Sequence, residues 1–326
     1  MNLKELQPTE VYDAYWEFAV KRQNIFFNRL KNKKQPWTSD PILQSYKFTN
    51  AYRASDRVSQ FLIKNVIYTQ KKYSNEDTCF RILLFKLFNK IETWQYLEKN
   101  LGEITYNSYN FHKYSNLLED KIKNGERIYS AAYIMPSGKS VFGYDRKHQN
   151  NLKLLEYMME DNITNKIITA DSLESLYNIL LSYPTIGTFL AYQFCIDLNY
   201  SELCNFDESS FVVAGPGAKN GINKCFKNLG LYSYEDIIEF VTKRQELEFK
   251  KRGLDFQTLF GRKLQMIDCQ NLFCEIDKYA RVAYPQIKGL NNRNKIKQQY
   301  INKNLSKIEF FFPPKWGINE NINHYK

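Results

Sequence analysis

The stretch that decides the fold is residues 172–208, which read SLESLYNILLSYPTIGTFLAYQFCIDLNYSELCNFDE. Apolar residues recur there at three- and four-residue intervals on both sides of a short turn at 183–187, which predicts helices over 172–181 and 188–198. An acidic loop follows at 205–208. The next segment, AGPGAKNG at 214–221, predicts a glycine-rich turn. The chain therefore presents two short helices followed by a carboxylate-bearing loop.

The two helices and their turn resemble a helix-hairpin-helix, in which backbone N–H groups at the start of the second helix bind a DNA phosphate. This interpretation makes Thr185, Gly187 and Thr188 the phosphate-binding positions of the hairpin. Thr185 replaces the usual first glycine, a departure that matters if the turn needs a positive φ there. In the DNA glycosylases built on this hairpin, the catalytic aspartate lies 24 residues past the leading apolar residue of the turn, and that count from Tyr183 reaches Asp207.

Asp207 is therefore the candidate catalytic residue. Cleaving a base from deoxyribose passes through an oxocarbenium-like sugar, whose positive charge a nearby carboxylate stabilises while orienting water. Phe189 stands where bifunctional glycosylases carry a lysine, so no amine is available for Schiff-base strand cleavage and a monofunctional enzyme is expected. The alternative role of Asp207 is to cap a helix beginning near Ser209.

A second block near the N-terminus carries candidate base-pocket residues. The Asp-Pro pair at 40–41 predicts a helix start. On the predicted helix, Asn50, Arg53 and either Asp56 or Arg57 share one face. An amide, a guanidinium and a carboxylate on one face suit a base pocket. The alternative is an exposed face with an Arg–Asp pair.

Residues 268–281 form a third block, in which aromatic, acidic and basic residues alternate densely. The functional interpretation places Glu275 and Lys278 at the edge of the base pocket. The alternative is an internal ion-pair network that clamps two lobes together.

The glycine-rich segment has two interpretations as well. It either lets the backbone approach a phosphate or the extruded base, or only reverses the chain. Its candidate phosphate-binding residues are Gly215, Gly217 and Lys219.

Composition points to a polyanionic partner. The 326 residues include 46 Lys+Arg against 35 Asp+Glu, a formal charge of +11, and cationic side chains gain affinity for phosphates by counterion release. Aromatic residues make up 16% of the chain; they fill a core or stack on exposed bases. The six cysteines form no C-x-x-C pair and the three histidines lie far apart, so neither a metal nor another cofactor is expected. The polar N-terminus and the lack of a long apolar run predict a cytoplasmic protein with no membrane association.

The periodicity is helical along most of the chain, so the predicted fold class is mainly α. Strand-like alternation occurs at 127–134, followed by a turn and residues 140–144, which predicts at most a small β-hairpin. We expect a single unit, 1–326, of two intertwined lobes. One covers about 40–200 and ends in the hairpin at 172–198; the other combines 1–39 with 201–326.

Together, these blocks resemble the alpha-glutamyl/putrescinyl thymine pyrophosphorylase clade of the helix-hairpin-helix DNA glycosylase superfamily, whose helical domain also accompanies hydroxymethyluracil DNA kinases. The resemblance implies a helical two-lobe fold with a DNA groove between the lobes, and substrates that are hypermodified bases of phage DNA. The matching residues are those at 37–57, 85–94, 132–134, 207, 215–221 and 273–279.

The predicted function is excision of a hypermodified base from phage DNA, as antiviral defence, by an enzyme that flips the nucleotide and leaves an abasic site. The expected partner is double-stranded DNA carrying modified bases, with no obligate protein partner. One alternative is a hypermodification transferase that joins an amine or amino acid to a pyrophosphorylated hydroxymethyluracil base. The other is a non-catalytic sensor of modified DNA.

Overall fold

The computed structural model describes residues 3–31, 33–301 and 309–322 and is mainly helical, which confirms the predicted fold class. Over these residues it contains isolated β-bridges but no β-sheet. No described helix is long and apolar enough to cross a membrane.

The chain divides into two compact units, one formed by residues 1–56 with 208–326 (unit 1) and the other by residues 57–207 (unit 2). The sequence placed these boundaries near residues 39/40 and 200/201. The described helices are, in unit 1, α1 Leu3–Leu6, α2 Glu10–Leu30, α3 Pro41–Ser45 and a 3-10 turn Arg53–Ser55; in unit 2, α4 Arg57–Phe61, a π-helix Leu62–Ile67, α5 Asn75–Phe88, α6 Ile91–Leu101, α7 Phe111–Lys123, α8 Lys139–Phe142, α9 Lys147–Glu160, α10 Ile163–Ile168, α11 Leu173–Leu181 and α12 Thr188–Leu198; and again in unit 1, α13 Pro216–Cys225, α14 Tyr234–Lys251, α15 Met266–Ala283, a 3-10 turn Pro314–Trp316 and α16 Asn319–Ile322.

Unit 1 is built around the close contact of α13 with α15. A Cβ added to Gly221 would lie 1.9 Å from the Phe273 carbonyl oxygen, so only glycine allows the two backbones to approach this closely. The predicted glycine-rich turn at 214–221 is therefore wrong. Gly215 is the N-cap of α13 and Pro216 occupies its first turn, a position at which a missing N–H is tolerated.

The predicted helix carrying Asn50, Arg53 and Asp56 is also wrong. Asp40 does cap a helix, accepting from the Ile42 and Leu43 amides at 3.0 and 3.1 Å, but α3 ends at Ser45. The chain then pairs its backbone with residues 298–300 instead of continuing the helix. The candidate base-pocket residues consequently do not share a helix face.

Unit 2 contains no β-hairpin at 127–144, so that prediction is wrong. The side chain of Asn150 accepts from the Tyr144 amide at 3.0 Å and donates to the carbonyls of Ser137 and Tyr144 at 3.0 and 2.8 Å. Side-chain bonds therefore satisfy backbone groups that a strand partner would otherwise take. Part of the second predicted strand is α8.

Arg81 is an organising residue of unit 2 that is almost fully buried. Its guanidinium donates to the carbonyl oxygens of Val66, Asn65 and Ile104 at 3.0, 3.3 and 2.9 Å. Since the last carbonyls of a helix lack intrahelical partners, Arg81 satisfies the end of the π-helix. Its guanidinium carbon also lies 5.0 Å from the centre of the Trp94 ring.

Candidate functional site

The predicted helical hairpin of unit 2 is formed by α11 and α12, which confirms both predicted helices. Ser172 caps α11 through the Ser175 amide at 3.0 Å. In the turn, the Ile186 amide donates to the Tyr183 carbonyl at 3.3 Å, and the Tyr183 hydroxyl donates to Asp161 at 2.9 Å. The turn is thus fixed at its leading residue.

Thr185 adopts φ +67° in this turn, the left-handed region that β-branched residues rarely occupy. Its hydroxyl oxygen is buried and has no hydrogen-bond partner among the described residues. The position therefore requires the positive φ that the motif's glycine normally supplies, and threonine adopts it under strain.

Gly187 and Thr188 are exposed at the start of α12. The first turn of a helix leaves N–H groups outside the intrahelical bonds, and the helix dipole favours an anion there. Phosphate binding at these hairpin positions stays a prediction.

Phe189, at the position of the missing lysine, stacks on Tyr133 with ring centres 5.8 Å apart and planes inclined by 13°. The Lys86 ammonium lies 4.7 Å from the centre of the Tyr133 ring and 2.5 Å from the Asp197 carboxylate, both charged side chains being almost fully buried. This ion pair was not predicted from the sequence. Lys86 lies within an otherwise apolar run of a predicted helix, and a lysine at such a position could have indicated a buried charge.

Asp207 is exposed at the end of a loop that α12 holds in place. The Asn199 side chain accepts from the Phe206 amide at 2.9 Å and donates to the Phe206 carbonyl at 3.0 Å. From the end of the π-helix, the Tyr68 hydroxyl contacts the Tyr200 carbonyl at 2.8 Å and the Glu202 carboxylate at 2.6 Å. The loop is therefore fixed at both ends.

The alternative that Asp207 caps a helix beginning near Ser209 is wrong. Residues 209–215 are not helical, and α13 begins at Pro216.

In unit 1, the structure brings together Asn50, Asp56 and Glu275. The backbone N–H of Asn50 donates to Asp56 at 2.8 Å. The side-chain oxygen of Asn50 accepts from Arg22 at 2.9 Å. Glu275 accepts from the Thr49 amide at 3.0 Å. The Asn50 side chain also donates to a backbone carbonyl at 2.8 Å, so these bonds hold the chain after α3.

Lys278 lies at the edge of this group, 2.6 Å from the Glu275 carboxylate and about one-fifth exposed. Arg53 is buried, and its amide donates to Asp268 at 2.9 Å. Arg57 belongs to unit 2, where it lies 3.5 Å from Glu92 on the surface. Five of the six candidate base-pocket residues therefore belong to unit 1.

Burial raises the pKa of Asp56 to about 7, against the opposing effect of the hydrogen bond from the Asn50 amide. It also raises the pKa of Asp268 to about 7, although the Gln265 and Arg53 amides donate to that carboxylate. Glu208, whose pKa burial likewise raises, is 3.2 Å from Arg262. Asp268 and Glu208 interact electrostatically, so these two buried acids form a second polar centre that was not predicted from the sequence.

The block at 268–281 lies on α15, and Asp277 forms ion pairs with Lys224 and Arg281. All three residues belong to unit 1, so this network joins α13 to α15 and is internal to that unit. Arg22 was missed too. It lies on the buried face of α2, together with the apolar Ala19 three residues before it. This spacing in the sequence could have indicated a buried arginine.

The glycines of α13 face other parts of the protein. A Cβ on Gly217 would lie 3.0 Å from the Cys274 sulfur, and the Lys219 ammonium lies 5.4 Å from the centre of the Tyr234 ring. Gly217 therefore serves close packing, as Gly221 does. Across the described part of the chain, no group of three or more His, Cys, Asp or Glu residues is placed to hold a metal ion.

Comparison with known proteins gives one family. The family model described as "5-hmdU DNA kinase, helical domain" matches residues 9–289, which is most of the chain. A 5-hmdU DNA kinase of Bacillus phage SP10 is 26% identical over 329 residues, covering 91% of this chain and 51% of the relative. The chain thus spans about half the length of that relative. No solved structure matches.

Proposed function

We propose, on the premise that this chain belongs to the family of the 5-hmdU DNA kinase helical domain, that it is an enzyme acting on modified bases in DNA. The named relative is a DNA kinase of a phage. Because the chain covers about half of that relative, we do not assign the kinase activity of the whole relative to this chain. The shared domain instead suggests recognition of a modified nucleotide in DNA.

The proposed reaction is hydrolysis of the N-glycosidic bond of a hypermodified base. The observation that carries it is the exposed Asp207, which follows the helical hairpin. It lies at the end of a loop whose backbone is held by Asn199. A carboxylate on a fixed loop stabilises an oxocarbenium-like sugar without reorganising during the reaction. It also orients the water that attacks C1′, so that the base leaves and an abasic site remains.

Binding of the DNA backbone is assigned to the turn of the hairpin. Thr185, Gly187 and Thr188 present the start of α12, and an anion at a helix N-terminus is favoured by both the free amides and the helix dipole. The formal charge of +11 adds a sequence-independent, salt-sensitive attraction to DNA. Base flipping then costs a few kcal/mol, least for a base that pairs poorly.

Within unit 1, the candidate base contact is Lys278, the partly exposed member of the polar group. Its ammonium is partly open to solvent while Glu275 orients it. Asn50 and Arg53 are buried, and Asn50 hydrogen-bonds Arg22 and Asp56. The proposal therefore gives these two residues a role in holding the surrounding chain and does not assign them a contact with the base. Lys278→Ala is therefore expected to weaken discrimination between modified and unmodified DNA.

A second candidate function is transfer of an amine or amino acid to a pyrophosphorylated hydroxymethyluracil base. The family itself favours it, because a kinase acting on 5-hmdU in DNA would phosphorylate the oxygen of the 5-hydroxymethyl group. In the transfer, the amine would attack the methylene carbon that bears this oxygen, and the bond to pyrophosphate would break. That reaction leaves the glycosidic bond intact. The two functions therefore differ in whether a free base is released.

The test incubates the purified protein with unmodified DNA, 5-hmdU DNA and hypermodified phage DNA. Released bases are measured by mass spectrometry, and strand breaks before and after alkali. Release of a modified base with alkali-dependent breaks, lost in Asp207→Asn and kept in Asp120→Asn, supports the glycosylase. Asp120 is a matched control because it is an exposed aspartate of the same unit. Intact DNA in every reaction would reject the glycosylase, and incorporation of a labelled amine into pyrophosphorylated DNA would then test the transferase.

A further inference from the structure

Unit 1 contains a cavity of about 200 Å³ between the end of α13, the end of α15 and the segment at 285–294. Four cationic side chains line it: Lys224, Arg281, Lys288 and Arg293. None of these lining residues, which all lie in the described part of the chain, is acidic. The proposed function assigns no role to this cavity.

Buried hydrogen bonds hold the cavity wall together. The Asn220 side chain donates to Asp277, and its oxygen accepts from the Asn291 amide at 3.1 Å. A Cβ on Gly289 would lie 2.5 Å from that same oxygen. Glycine is therefore required where the segment crosses α13, and the segment is held against the helix.

Positive charge in the cavity exceeds negative charge. Lys224 and Arg281 share the single carboxylate of Asp277, and their side chains are only 4% and 10% exposed. Lys288 and Arg293 add two exposed cations. The cavity thus carries about three uncompensated positive charges, since four cations face one carboxylate.

Arg281 also has an unused donor. Its Nε is buried without a hydrogen-bond partner in the described structure, whereas its two terminal nitrogens bond the Lys295 carbonyl and Asp277. A buried cationic donor without an acceptor is costly.

We propose that this cavity binds a phosphate-class anion. Arginine and lysine together are the donors that phosphate oxygens accept from most strongly. The volume of about 200 Å³ is roughly seven times the ~30 Å³ that a water occupies in the liquid, which leaves room for a phosphate or pyrophosphate with bound water. The phosphate comes either from the DNA backbone or from a free phosphate or pyrophosphate.

The test uses two double variants of the full chain with equal loss of charge. Lys288→Gln/Arg293→Gln removes the exposed cations of the cavity, whereas the control Lys250→Gln/Lys297→Gln removes two exposed lysines outside its lining. All four residues are exposed, so folding is preserved; circular dichroism verifies this. Calorimetry measures binding of inorganic phosphate and of pyrophosphate, and anisotropy measures binding of an unmodified duplex over a salt series.

The cavity variant is expected to bind its anion about tenfold more weakly than the wild type and the control. If the ligand is a DNA phosphate, duplex affinity falls and the slope of log K against log salt decreases by about 1–2. If it is a free anion, pyrophosphate binding falls while duplex binding is kept. Equal binding of all three probes by the cavity variant and the wild type would overturn the proposal. No catalysis is measured in this test, so its failure is distinct from a failure of the glycosylase, which is tested separately through Asp207→Asn.

Discussion

Replacing Thr185 tests whether the hairpin turn needs a left-handed residue. At φ +67°, an L-residue costs roughly 1–2 kcal/mol relative to the right-handed region. Glycine avoids this cost but loses about 0.4–1 kcal/mol through the greater freedom of the unfolded chain. Thr185→Gly is therefore expected to be more stable than Thr185→Ala by about 0.5–1 kcal/mol. Comparing these two variants isolates the effect of the backbone conformation on stability, because both lack the hydroxyl and the γ-methyl group of threonine.

The assay is urea denaturation followed by circular dichroism, with the same pair of substitutions at Ser182 as the control. Ser182 directly precedes this turn, as the C-cap of α11, and has φ −70°, so there alanine should be more stable than glycine, by about 0.4–1 kcal/mol. The order of the two variants should thus reverse between the two positions. If alanine is at least as stable as glycine at both, the left-handed turn is refuted.

Three further predictions concern the loop, the helix contact and pH. Asn199→Ala removes two bonds to the loop before Asp207 and should cost about 1–3 kcal/mol, lowering the rate of excision while duplex binding measured by anisotropy stays unchanged. Gly221→Ala places a methyl group against a backbone oxygen and should destabilise the protein by about 3 kcal/mol or more, seen as a lowered melting temperature; an unchanged melting temperature would disprove the close contact. The pKa of Asp56 and of Asp268 is raised from 3.8 to about 7, so the folded state keeps protons that the unfolded state releases, and the free energy of unfolding should decline as pH rises from about 4 to about 7. Asp268→Asn should flatten that decline in urea midpoints measured at pH 5 and pH 8, and an equal slope in the variant would contradict the assignment.

Helices were predictable where the apolar period is regular and its ends carry capping residues. The hairpin helices are the clearest case, since Ser172 caps one and Gly187 precedes the other. The segment at 214–221 was misjudged because proline and glycine usually reverse a chain. Here proline occupies the first helical turn, and glycine is required by a neighbouring backbone distant in sequence, which local pattern does not report.

The residues of the candidate site were predictable in kind but not in arrangement. Asn50 and Glu275 are both polar positions of unit 1, yet their proximity depends on chain pairing after α3 with residues 298–300. Spacing along a helix gave the wrong geometry for the same reason. Asp268 was passed over because its burial, and therefore its raised pKa, follows from tertiary packing.

The two classes of carboxylate in this chain suit different tasks. A group that stabilises a cationic transition state must be ionised and must be reached by the substrate. Asp268 is buried, accepts two backbone N–H bonds and has a pKa raised to about 7, so its substitution disturbs folding and its pH dependence. Asp207 is exposed and lies at the end of a loop whose backbone Asn199 holds. Its substitution by asparagine should therefore remove activity while lowering the free energy of unfolding less than Asp268→Asn does, and a loss of stability as large as that of Asp268→Asn would place Asp207 among the structural acids.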